Sequence, residues 1–165
     1  MAKVLTIICD WLARLLVMLV VVMTLVMLLS LGLQVVLRYA FSVTLPWPDE
    51  VALAMFSWSV LLIAPLGIRE GFHARLVIVA ESLPPRWQII QQRCVNALCI
   101  VLGGVLFWAG GRYTFEAGGL RSAAIGYPLV WLYAALPVSG VLIMIFGAER
   151  VIRVDQPETV VKTDV

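Results

Sequence analysis

The chain has 165 residues, of which 62% are hydrophobic and only 13% charged, and its mean hydropathy of +1.02 lies outside the range of soluble domains. A net charge of +2, carried by single scattered basic residues, offers no tract for nucleic acid. Three cysteines, Cys9, Cys94 and Cys99, make neither a metal spacing nor an even disulfide framework and read as packing residues.

In residues 1–14, Val4, Leu5, Ile7, Ile8, Trp11 and Leu12 recur at helical spacing, with Lys3, Thr6, Asp10 and Arg14 on the other side, the pattern of an interfacial amphipathic helix. A cleaved signal peptide fits poorly: the apolar stretch that follows is too long and lacks a small-residue cleavage site. Residues 15–37 are uncharged, and a helix of that length, about 34 Å, crosses a bilayer core. Ser30, Gln34 and Arg38 repeat every four residues near its end. Either they form a polar ridge turned toward protein, or Gln34 and Arg38 snorkel to the interface.

The stretch from Arg38 to Glu50 holds the densest polar and aromatic chemistry of the chain. Tyr39, Phe41 and Trp47 are residue types that settle where headgroups meet hydrocarbon, so this loop is expected at a membrane surface. Pro46 and Pro48 stop the first helix and leave Glu50 in the first turn of the second, where the helix dipole favours a carboxylate. The second span is predicted over residues 51–68. Glu50, Ala54, Ser57 and Leu61 share a face of mostly small side chains, and Pro65 should bend the helix.

Between Arg69 and Arg93 the chain is at its most polar, and reads as a surface segment broken at Leu83-Pro84-Pro85, with Pro85 starting the next helix. Residues 94–111 form the third predicted span, where Gly103-Gly104 and Gly110-Gly111 thin the helix for a neighbour. The fourth is predicted over residues 127–146, entered through Pro128 and Trp131 and bent at Pro137. Residues 147–165 form a tail expected to be disordered beyond Pro157.

Orientation follows from the basic residues. Lys3, Arg14, Arg69, Arg75, Arg86, Arg93, Arg150, Arg153 and Lys162 fall on one side of four spans, and only Arg38, Arg112 and Arg121 on the other. The positive-inside rule puts both termini in the cytoplasm and the Arg38–Glu50 loop outside. The predicted fold is therefore an all-α integral membrane protein, one domain of four transmembrane helices with amphipathic interfacial segments.

None of the four apolar runs contains Asp, Glu, Lys, Arg or His, the groups that ordinarily bind ions and charged substrates at mid-bilayer. The single histidine, His73, excludes paired haem ligation within one chain and reads as an interfacial polar contact. No nucleophile with a base and no phosphate-cradling loop is present, so neither an enzyme nor a cofactor is expected. An integral protein with so little chemistry and with polar faces turned sideways is most simply a partner-binding subunit. An ion pair between Arg38 and Glu50 is expected to fix the first two helices or to clamp a partner loop.

Arg38-Tyr39-Ala40-Phe41, Leu45-Pro46-Trp47, Glu50 and Trp58 together resemble the start of the small, DctQ-type membrane subunit of tripartite ATP-independent periplasmic (TRAP) transporters. Gly67, Arg69, Gly71, His73 and Leu83-Pro84 are similar to its middle pattern, and Pro128, Trp131, Tyr133, Pro137 and Gly140 to its close. The order and spacing carry the signal, over about three quarters of the chain. One departure is Val77, which stands where the family commonly has an Asp after Ala74-Arg75-Leu76. The resemblance implies a scaffold in a bacterial inner membrane, partnered with a large membrane subunit that carries the substrate and coupling-ion sites and with a periplasmic substrate-binding protein. With Gln34 of the polar ridge, Arg38, Tyr39, Trp47, Glu50, Trp58, Arg69 and His73 are the candidate structural or partner-interface residues. The competing reading is an autonomous, self-associating four-helix transporter or channel.

Overall fold

The computed structural model describes residues 2–70 and 85–154. Helix α1 runs over Ala2–Ala40, α2 over Trp47–Glu70, α3 over Pro85–Glu116, the short α4 over Val130–Tyr133 and α5 over Ala135–Val154, with a 3-10 turn at Ala117–Gly119. No strand occurs among the described residues; the one bridge, Arg121 with Pro128, is isolated. Four segments are long and apolar enough to cross a membrane: Thr6–Ala40, Trp47–Arg69, Arg93–Gly119 and Val130–Val151.

The four predicted spans thus exist, with altered ends. The expected amphipathic segment 1–14 and the first span are one continuous helix. The fourth span starts at Val130 rather than Tyr127, because Pro128 is held in the bridge to Arg121. Its bend falls three residues before Pro137. Proline has no N–H to offer the carbonyl of Tyr133, so the helix loosens at Ala134 and resumes at Ala135. Pro65, by contrast, is buried inside an unbroken α2. His73, Gly71, Leu83-Pro84, Val77 and the tail beyond Val154 lie outside the described residues.

Helix α1 meets α2 along a single seam. Among its buried or half-buried positions, Cys9, Ala13, Leu16, Val20, Met23, Met27, Ser30, Gln34 and Leu37 are spaced alternately four and three, the 3.5-residue repeat of a left-handed helix pair. The α3–α5 seam has the same period. Ile100 touches Gly147, Gly103 touches Ile143 and Gly140, Phe107 touches Gly140, and Gly110 touches Leu136 and Pro137. Of each glycine pair, the first residue is in the contact, while Gly104 and Gly111 have open space where a Cβ would stand.

Helices α2 and α5 join the two pairs, with the Ser139 hydroxyl donating to the Leu61 carbonyl at 2.6 Å. The main core brings Cys9, Ala13, Leu16 and Val20 of α1, Leu62 and Leu66 of α2, and Leu142 and Phe146 of α5 together, with Leu12, Met23 and Trp58 packed against it. The result is a row, α1–α2–α5–α3. Consistently, 17% of the most apolar window is buried in α1 and in α3, against 33% in α2 and 39% in α5. In lipid the exposed Leu and Val side chains of the outer helices gain nothing by burial, so tight packing and hydrogen bonds must hold the row. Cys9 is a core residue as expected and Cys99 is half-buried, but Cys94 is exposed on α3.

Candidate functional site

Polar side chains gather at the two ends of the row. At one end, α1 begins, α2 ends and α5 ends, so Asp10, Arg69 and Glu149 converge. The Arg69 guanidinium donates through Nη2 to Asp10 Oδ1 and through Nε to Glu149 Oε2 at 3.2 Å, and it lies 5.6 Å from the centre of the Phe146 ring. Glu149 is 2% exposed, which makes Arg69 the cation that permits a carboxylate to sit among apolar helices. Arg150 closes the same end by donating from Nη1 to the Ile68 carbonyl at 2.5 Å, capping the last turn of α2.

At the other end Glu50, in the first turn of α2, reaches into the loop that follows α3. It accepts hydrogen bonds from the Ser122 hydroxyl, from the Ala124 N–H at 2.8 Å and from the Ile125 N–H at 3.0 Å. Ser122 Oγ in turn accepts from the N–H groups of Ile125 and Gly126. Gly126 adopts φ +76, the left-handed conformation that lets successive amides turn toward one carboxylate. Beside Glu50, Gln34 Nε2 donates to Asp49 Oδ2 at 2.7 Å, tying α1 to α2. Tyr127 lies in this loop just ahead of the fourth span. Burial, and next the Glu50 charge, push its phenol pKa up.

The expected Arg38–Glu50 ion pair does not form. Glu50 is taken by the loop, and Arg38 makes no ion pair among the described residues. The reason is helical period: the α1 seam passes through Ser30, Gln34 and Leu37, so Arg38 falls one position off it and is exposed. Of the proposed polar ridge, Ser30 is buried and Gln34 half-buried against α2; only Arg38 is exposed.

The other candidate residues divide by exposure. Tyr39, in the last turn of α1, and Phe41, just beyond it, are exposed at 81% and 66%; there the Leu37 carbonyl accepts from both Phe41 and Val43 and Ser42 takes φ 53. Trp47 is partly exposed at the start of α2, and Trp58 spans the row by donating from Nε1 to the Trp131 carbonyl at 3.0 Å. Beside Trp58, an apolar pocket of about 290 Å³ opens between α2 and the α3–α4 loop. His73 lies outside the described residues. Sequence reading missed Asp10 as an ion-pair partner, Glu149, and Ser122 with its turn. The usable signal was Glu149, a lone carboxylate one turn beyond the apolar run ending at Phe146, where burial demands a cation. Among the described residues no group of three or more His, Cys, Asp or Glu could hold a metal ion.

Glu50→Gln keeps the side chain's shape and weakens acceptance from three donors. It should raise amide exchange at Ala124 and Ile125 at least tenfold while leaving α1–α2 packing unchanged, as read by hydrogen–deuterium exchange. Unaltered exchange would mean that the carboxylate does not order the loop.

A multi-pass, all-helical membrane protein whose polar groups bind its own helices together is the class these features define. The chain belongs to the DctQ family: residues 27–156 match the family described as "Tripartite ATP-independent periplasmic transporters, DctQ component". A Haemophilus influenzae protein that carries the provisional name TRAP transporter small permease protein is 27% identical over 121 residues, 73% of this chain and 74% of that one. The Vibrio cholerae protein named "C4-dicarboxylate TRAP transporter small permease protein DctQ" is 26% identical over 80 residues, covering 48% of this chain and 34% of its own length. The chain is thus a small permease subunit of TRAP-type transmembrane transport, a multi-pass protein of the inner membrane.

Proposed function

We propose that this subunit braces the large membrane subunit of a TRAP system during ion-coupled uptake of a small organic carboxylate delivered by a periplasmic binding protein, with both its termini in the cytoplasm. The observation that carries the reading is that two clusters of its charges, one at each end of the row, are spent on its own helices and loop. Arg69 is used on Asp10 and Glu149, and Glu50 on Ser122, Ala124 and Ile125. Between these clusters the described spans carry no ionisable side chain of the kind that ordinarily binds an ion at mid-bilayer. A unit held at both ends is stiff, and its outer faces are apolar and available to another membrane protein. The large subunit then supplies the sites and the movement.

Reconstitution tests this reading. Vesicles containing this chain alone should accumulate no carboxylate solute, whereas vesicles also containing the large subunit, supplied with the binding protein and an ion gradient, should. Accumulation by the chain alone would overturn the proposal and favour an autonomous transporter.

A further inference from the structure

A groove of about 360 Å³ opens between the start of α1 and the end of α2, lined by Asp10, Ala13, Arg14, Val17, Met18, Leu66 and Arg69. Its lining is graded along the membrane normal. Asp10, Arg14 and Arg69 form the end toward the membrane surface. One turn further in along each helix come Val17 and Met18 on α1 and Leu66 on α2, all apolar. We propose that this groove seats an anionic phospholipid, its phosphate on Arg14 at the Arg69 edge and an acyl chain along Val17, Met18 and Leu66.

Charge and depth select this occupant. Arg69 is held by Asp10 and Glu149 and so stays fixed at the groove's edge. Arg14 is exposed and makes no ion pair with any described residue, while Asp10, the carboxylate of the groove, is taken by Arg69. Met18 is 62% exposed and offers an adaptable apolar wall at the depth of the first acyl carbons. A soluble phosphate has no use for the apolar half. A zwitterionic lipid carries its own cation and gains less from Arg14. The assignment does not depend on which side of the membrane this end faces, since a cation above an apolar slot selects an anionic amphiphile in either leaflet.

The experiment is lipid titration of the full-length purified chain by native mass spectrometry, with phosphatidylglycerol and phosphatidylcholine of matched acyl chains. The parent chain should retain phosphatidylglycerol in preference. Arg14→Gln should cut that preference about fivefold, the effect of one basic residue at an anionic surface. Met18→Trp, which fills the apolar half without touching charge, should weaken both lipids together. Added sn-glycerol 3-phosphate should not compete. Equal retention of the two lipids by the parent, or an unchanged preference in Arg14→Gln, would overturn the site, as would displacement of the lipid by the soluble phosphate. In the assembled transporter, a photo-crosslinker at position 18 that captured the large subunit rather than lipid would also overturn it. Failure of any of these leaves the bracing role untouched, because that role is read from solute uptake.

Discussion

Arg69→Met is expected to destabilise the subunit by about 3–5 kcal/mol, the cost of leaving a buried carboxylate without its cation. Glu149 is 2% exposed and cannot turn to water without pulling α5 away from α2. The loss should therefore show as a large fall in melting temperature in detergent and as separation of α1 and α5, which meet at this end through Asp10, Arg69 and Glu149. The double variant Arg69→Met with Glu149→Met should recover most of the stability, since an apolar pair of similar volume is often as good as the ion pair it replaces. If Arg69→Met melts with the parent, the cluster does not hold the helices as described.

Gly140→Ala is expected to be nearly as damaging. A Cβ there would stand 2.6 Å from the Phe107 amide nitrogen and 2.7 Å from the Gly103 carbonyl oxygen. Both are backbone atoms of α3 and cannot swing aside, so the helices must part. Overpacking of this kind costs about 1–3 kcal/mol in ordinary cores, and the upper end applies where no side chain can yield. The matched control is Gly104→Ala, which meets nothing within 4 Å. Gaining helix propensity there should leave stability unchanged or raise it by up to about 1 kcal/mol. Thermal unfolding of the two variants side by side reads the contrast, and equal effects would refute the α3–α5 register.

The number of spans was legible because uncharged runs long enough to cross a bilayer are set by composition alone. The break between α1 and α2 was legible for a related reason: Pro46 and Pro48 mark a helix boundary by local chemistry. Pairing was harder to read. Glu50 pairs with a turn more than seventy residues away, and nothing local in Ser122–Gly126 announces a carboxylate's cradle. Arg38 was misread because a step of four residues describes one helix, whereas two helices wound together repeat at 3.5. Over the eight residues from Ser30 to Arg38 that difference is one position, enough to move a side chain from the seam to the exposed face. The glycine pairs were read correctly as points of approach, but only the packed structure separates Gly103 and Gly110, which face α5, from Gly104 and Gly111.

The row order of the helices has one last consequence. Helices set around an axis surround a shaft, and a shaft can be wetted and opened. Four helices set in file make a wall instead, with two broad flanks, two edges and nothing enclosed by the described residues. Such a body encloses no channel among its described residues, and the proposed bracing role needs none.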